Sequence, residues 1–208
     1  MYAIITDGSI SKYVNHPKPL VIGDVQYPAK IFSVWTASEL AAIGIIAVTF
    51  DNSNKKNDQW YTNTNQTFTY DASAGTVTAA YGTATAKAHA DTTWSQQDSD
   101  DGDLPSDKSV GDVKVEGLKT ILIRTIKQQA AGILQDTDWY IVRKADAGTA
   151  VPSSITTHRA AVRTKAAEME TSITNASNTP ALETLYTYTR QEDGSVTRPL
   201  GELPTLES

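Results

Sequence analysis

The spacing of apolar positions changes character near residue 110: before it they fall in short alternating runs, and after it they recur every three to four positions. Tyr2 to Ile5 and Ile10 to Val14 flank Thr6-Asp7-Gly8-Ser9, which predicts a hairpin closed by a tight turn. Pro17 and Pro19 interrupt the chain, and Leu20 to Pro28 resumes an extended course. Thr36-Ala37-Ser38-Glu39 fits a capping box, with Trp35 and Leu40 placed as a hydrophobic staple and Gly44 as a left-handed stop. A short helix over 37–43 is expected there, and the β-branched run Ile45 to Phe50 leaves it as a strand. Gln66 to Tyr70 and Thr76 to Tyr81, around Asp71-Ala72-Ser73-Ala74-Gly75, read as a second hairpin, rich in Thr and half-exposed.

From Ser95 to Asp107 there is almost no apolar residue and an excess of acid, so 95–110 is expected to be a polar linker. The stretch fails as a calcium loop. With Gly102 at the sixth position, Gln97 and Ser99 occupy the first and third, and Lys108 stands where a bidentate Glu is needed. Beyond it, Leu118, Ile121, Leu122, Thr125, Ile126, Gln129, Ala130, Ile133 and Leu134 mark one side of a helix, opened near Asp112. A second helix follows Gln135-Asp136-Thr137-Asp138 and runs through Trp139 to Lys144 before Gly148. Pro152 begins a third, over 153–176, in which Ile155, Val162 and Met169 repeat every seven residues and Ala166 and Ile173 follow by four. That narrow seam suits either the first C-terminal helix folding back or the same helix of another subunit. A short helical piece, Leu182 to Tyr188, precedes the tail. The expected class is α+β: a β-rich domain with one short helix over 1–94, the linker 95–110, a helical hairpin or bundle over 111–190, and a polar tail over 191–208.

Composition narrows the function. A net charge of -6 with no Lys or Arg run argues against nucleic acid and against anionic membrane surfaces as partners. No apolar run approaches the ~18 residues of a bilayer span, and the opening Met1 to Asp7 lacks the basic and apolar regions of an export signal. With no Cys, disulfides, thiolate nucleophiles and Cys-based zinc sites are excluded. His16, His89 and His158 fall in three separate segments without ligand spacing, His16 reading as a loop residue and His158 as a surface or interface residue. Neither a Gly-x-Ser-x-Gly elbow nor a phosphate loop occurs, so no catalytic, cofactor or metal site and no small-molecule substrate is expected. A carbohydrate-active domain would need Asp58 or Asp91 beside Trp60 and Trp94 in one cleft. Trp139, Tyr140 and Arg143 have the residue types of an interface hot spot. The plainer expectation is that Trp139 and Val142 pack beneath the long helix and leave Tyr140 and Arg143 exposed.

Three stretches carry a family resemblance: Thr137-Asp138-Trp139-Tyr140-Ile141-Val142-Arg143-Lys144, then Gly148-Thr149-Ala150-Val151-Pro152, then Arg159-Ala160-Ala161-Val162-Arg163. They resemble the C-terminal helical element of tail-fibre and tail-fibre-assembly proteins of tailed bacteriophages. The opening is similar to the same group through Val21 to Pro28 and Trp35 to Leu40, with Ile43-Gly44-Ile45 behind. The resemblance implies a non-enzymatic role in the virion tail (fibre, fibre adaptor or baseplate), or else an assembly chaperone, made in the host cytoplasm. Assembly chaperones of this kind usually end in a segment containing Pro and Trp, whereas this chain continues to Glu183, Tyr186, Tyr188 and an acidic tail, which favours the structural role. Other tail proteins and further copies of the chain, as trimers or rings, are the implied partners. The contact residues expected are Trp139, Tyr140, Arg143 and Arg159, with the seam Ile155, Val162, Met169 and Ile173.

Overall fold

The computed structural model describes residues 1–206, in two compact units, Met1–Thr85 and Ala86–Ser208. The fold is mixed α+β, with the strands concentrated in the first unit and the long helices in the second. In the first unit β1 (Tyr2–Thr6) and β2 (Ser9–Val14) form the expected hairpin. Asp7 and Gly8 both take positive φ, +51° and +73°, the conformation that a two-residue turn needs to match the strand twist. Leu20 to Pro28 is a hairpin rather than one extended run: β3 (Leu20–Ile22) returns as β4 (Val25–Tyr27) around Gly23-Asp24. A single turn, α1 (Ile31–Val34), precedes α2 (Ala37–Ala42).

The capping box at α2 is complete. Thr36 N donates to Glu39 Oε2 at 2.7 Å and Glu39 N donates to Thr36 Oγ1 at 3.3 Å; the Thr36 amide and then its hydroxyl, which also donates to Glu39 Oε2, hold the Glu39 carboxyl below its usual range. Gly44 then turns the chain at φ +78° into β5 (Ile45–Asp51). The short β6 (Tyr61–Thr62) precedes β7 (Thr67–Asp71) and β8 (Thr76–Ala80), whose turn is closed by Ser73 N and Ala74 N donating to Asp71 Oδ1.

This second hairpin is no separate sheet, because β8 runs parallel to β5, giving one five-stranded order β2-β1-β5-β8-β7. One face packs Ile4, Val14 and Ile45 against Leu20, Ile31, Phe32 and Leu40. On the other face Ala3, Val48, Val77 and Ala79 lie beneath the sheet's own larger residues, among them Ile46, Phe68 and Tyr70. The first unit ends at β9 (Thr85–Ala86), paired with β6.

The second unit opens with β10 (Thr92–Thr93), α3 (Gln96–Asp100) and β11 (Val113–Val115). The acidic stretch 95–110 therefore lies inside this unit as folded chain, not as a connector between domains. Polar bonds close on themselves there: Ser95 and Asp98 form a second capping box, Lys114 pairs with Asp98 and covers the Trp94 ring, and β10 and β11 pair. Composition alone misses such a loop because its order comes from hydrogen bonds rather than apolar burial.

Four helices follow: α4 (Leu118–Gln135), α5 (Asp138–Ala147), α6 (Ser153–Asn175) and α7 (Thr179–Tyr186). The first begins after Gly117 rather than near Asp112. Its leading amides are satisfied from a distance: Gly117 N donates to Asp91 Oδ1 (2.7 Å), Leu118 N to Ala88 O and Lys119 N to His89 O (both 3.0 Å). Leu118, Leu122, Ile126 and Ala130 form its buried stripe, and α4 packs chiefly on α6. The two run antiparallel, with Lys119 reaching Thr174 O and Arg159 reaching Leu134 O. Leu182 of α7 is fully buried.

Most of the expected tail is also folded. A hairpin of β12 (Thr189–Arg190) and β13 (Val196–Thr197) leads to buried Leu200, whose amide donates to Leu185 O. Of the tail over 191–208, Glu207 and Ser208 lie outside the described residues.

Candidate assembly surface

The corner between α4 and α5 is built by one buried cation. Arg159 of α6, 7% exposed, donates through Nη1 to Leu134 O and Thr137 Oγ1, both at 2.7 Å, and Nη2 lies 2.8 Å from Asp138 Oδ1. Thr137 Oγ1 in turn donates to Leu134 O at 3.0 Å. Charge-assisted bonds to a helix-end carbonyl and a buried hydroxyl fix where α4 stops and α5 starts. Arg159 is thus a positioning residue inside the unit, not an exposed contact.

The helix so positioned has no buried residue. Trp139 is 50% and Val142 65% exposed, while Tyr140 and Arg143 are half-buried. This corrects the expectation that Trp139 and Val142 pack under the long helix. The Trp139 and Tyr140 rings lie 3.8 Å apart, and the Arg143 guanidinium sits 4.6 Å from the Trp139 centroid and 5.4 Å from that of Tyr140. Cation–π contacts of this kind stiffen the cluster and leave its apolar area facing water. The Arg143 Nε is covered, with no hydrogen-bond acceptor among the described residues. Gly148 ends α5 in the left-handed conformation, φ +67°.

The seam of α6 behaves in the opposite way. Ile155, Val162, Ala166, Met169 and Ile173 are all buried within the unit, Met169 at 1% exposure, and α4 is the main partner of their helix. The seam is therefore an intrachain contact, the first of the two packings its spacing allows, and these side chains are buried rather than presented to another subunit. His158 is also buried, at odds with a surface or interface position.

Beside the corner an open cleft of about 640 Å³ is walled by one side of α4 (Gln129, Gly132, Ile133) and the Asp136 that follows it, with Met169, Tyr188, Arg198, Glu202 and Leu203 completing it. Positions 129, 132, 133 and 136 share a helix face, so the sequence brings an amide, an apolar side chain and a carboxylate to one wall. Opposite, Tyr188 Oη donates to Glu202 Oε1 at 2.7 Å, and Arg198 grips the same carboxylate through Nε and Nη2, each at 2.8 Å. The hydrogen bond to Glu202 raises the Tyr188 phenol above its ordinary pKa. Neither Asp136 nor Gln129 has a side-chain partner among the described residues.

The carboxylates that a carbohydrate-active reading requires are engaged elsewhere. Asp91 caps α4 through Gly117 N and Thr120 Oγ1, bonds that lower its pKa, whereas a general acid needs a raised one. Asp58 accepts from Asn63 Nδ2 at 2.6 Å, and it belongs with Trp60 to the first unit, while Asp91 and Trp94 belong to the second. Among the described residues no three His, Asp or Glu side chains gather as a metal site, and no helix is long and apolar enough to cross a membrane. No family model, curated protein or solved structure matches the chain.

Proposed function

We propose that this chain is a non-enzymatic structural component of a bacteriophage tail (fibre, fibre adaptor or baseplate) that acts through protein–protein assembly and resides in the virion after synthesis in the host cytoplasm. The observation that carries the reading is the face of α5 on which Trp139 and Val142 are exposed beside half-buried Tyr140 and Arg143, held in place by buried Arg159. The residues that resemble tail proteins, Thr137 to Lys144 and Arg159, are those that build this corner and its face. Trp, Tyr and Arg dominate the energy of protein interfaces, and a monomer gains nothing from presenting them to water.

Quantitative mass spectrometry of purified virus particles tests the proposal. Several copies of the chain per particle are expected. Its absence from infectious particles refutes the structural role and leaves a chaperone that is required for assembly but not retained.

A further inference from the structure

We propose that the aromatic–basic face of α5, centred on Trp139 and Arg143, seats in the cleft of a second copy of this chain, against Gln129, Ile133, Asp136 and Tyr188. The inference rests on the assembly reading and names its partner and its surface.

The two surfaces are complementary in charge. The donor face belongs to a helix with no buried residue, and Lys144 follows Arg143 as a second cation. The receiving cleft, about 640 Å³, has an apolar floor of Ile133, Gly132 and Met169. Sites of ~300–1,000 Å³ hold drug-sized ligands, so an indole and a guanidinium fit together. On its rim the Asp136 carboxylate has no side-chain partner among the described residues, and the Glu202 side chain is 60% exposed beyond its bonds to Arg198 and Tyr188. A guanidinium entering the cleft meets the Asp136 carboxylate, which can accept paired N–H donors, while the Trp139 ring covers Ile133. Gln129 supplies a free amide for the indole N–H.

A second copy is the occupant because both halves lie on one chain, three residues apart at their nearest, Asp136 and Trp139. The chain does not use its own face to fill its own cleft: Trp139 stays exposed and the cleft open in the same molecule. A surface and its complement on one chain are what closed symmetric assemblies are made from.

The test is the molar mass of the full chain by light scattering or sedimentation across a range of concentrations, for four proteins. The unmodified chain is expected to associate. Arg143→Glu and Asp136→Lys should each weaken association by about tenfold or more, as loss of a charge pair at a desolvated contact does. Val142→Glu, at an exposed position of the same face, should weaken it too while leaving the helical circular dichroism unchanged. An equimolar mixture of the Arg143→Glu and Asp136→Lys chains should associate again, since each reversed group then meets its opposite and the remaining native pair is also intact. A monomeric unmodified chain, association untouched by all three substitutions, or a mixture that stays apart overturns the inference. Particle composition is read separately. A chain that associates through this contact yet is missing from virions keeps the inference and sinks the structural role.

Discussion

Arg159 is where the structure makes its sharpest energetic demand. Replacing it with Ala removes two bonds from a guanidinium that is almost wholly buried, one to Leu134 O and one to Thr137 Oγ1, at 2.7 Å each. Hydrogen bonds to a charged group are worth about 1.5–3 kcal/mol each. The pair with Asp138 adds little, because that carboxylate is largely solvated and exposed ion pairs contribute about 0–1 kcal/mol. The Leu134 carbonyl keeps the Thr137 hydroxyl as a donor, so the loss falls short of the full sum. We expect about 3–5 kcal/mol from the second unit's stability, and Lys at this position, with its charge but no planar fork, to recover less than half. For a unit of this size that corresponds to about 10–20 °C in Tm. Calorimetry and urea unfolding of the full chain read it, with Thr137→Val in a double-mutant cycle expected to couple to Arg159→Ala by about 1 kcal/mol or more. A loss below about 1 kcal/mol, or strict additivity, would refute the claim that this side chain locks the α4–α5 corner.

Three further outcomes follow from single contacts. Met169→Ala, made in the Arg143→Glu chain so that association through α5 does not contribute, should cost about 2–5 kcal/mol in urea unfolding with a midpoint independent of protein concentration, because the seam is filled by the chain's own α4; a midpoint that still rises with concentration would return the seam to a subunit contact. Gly44→Ala should destabilise the first unit by about 2–4 kcal/mol by thermal melting, since φ is +78° and the added Cβ would stand 2.6 Å from the Ile5 carbonyl oxygen. Asp91, lowered by the Gly117 amide and the Thr120 hydroxyl, contributes stability that is fully present above its unfolded pKa of about 3.9 and is lost as pH falls through its depressed folded value. Unfolding of Asp91→Asn between pH 7 and pH 2 should therefore show a lower neutral plateau and a shallower acid limb than the unmodified chain, and an unchanged acid limb would count against the cap.

Features made by near neighbours in sequence were legible in it. Thr36 and Glu39 stand three apart, Asp7 and Gly8 are adjacent, and the seven-residue repeat of α6 marks its buried side whatever covers it. What escaped were contacts between distant residues of unremarkable type. Asp91 caps a helix 26 residues later, and Arg159 reaches back 22 residues to Thr137. A lone Asp and a lone Arg are surface residues by base composition, and nothing local marks either as a structural partner. The stretch 95–110 misled for a related reason, since Asp98 is held by Ser95 and Lys114 and not by any apolar contact.

The misreading of Trp139 carries the larger lesson, because residue type and seam spacing each left two packings open. The seven-residue repeat of α6 suited either α4 folding back or another subunit, and Trp139 suited either a hot spot or the core beneath the long helix. Packing takes the first alternative in each case: α4 supplies the partner that the narrow seam needs, and with Arg159 committed to the corner, α5 carries no buried residue and leaves its indole exposed. A helix whose first turn is fixed and whose flank is bare presents its side chains at a defined angle without using them for folding. Substitutions on that flank should therefore change association and leave stability nearly untouched, whereas substitutions in the seam should do the reverse.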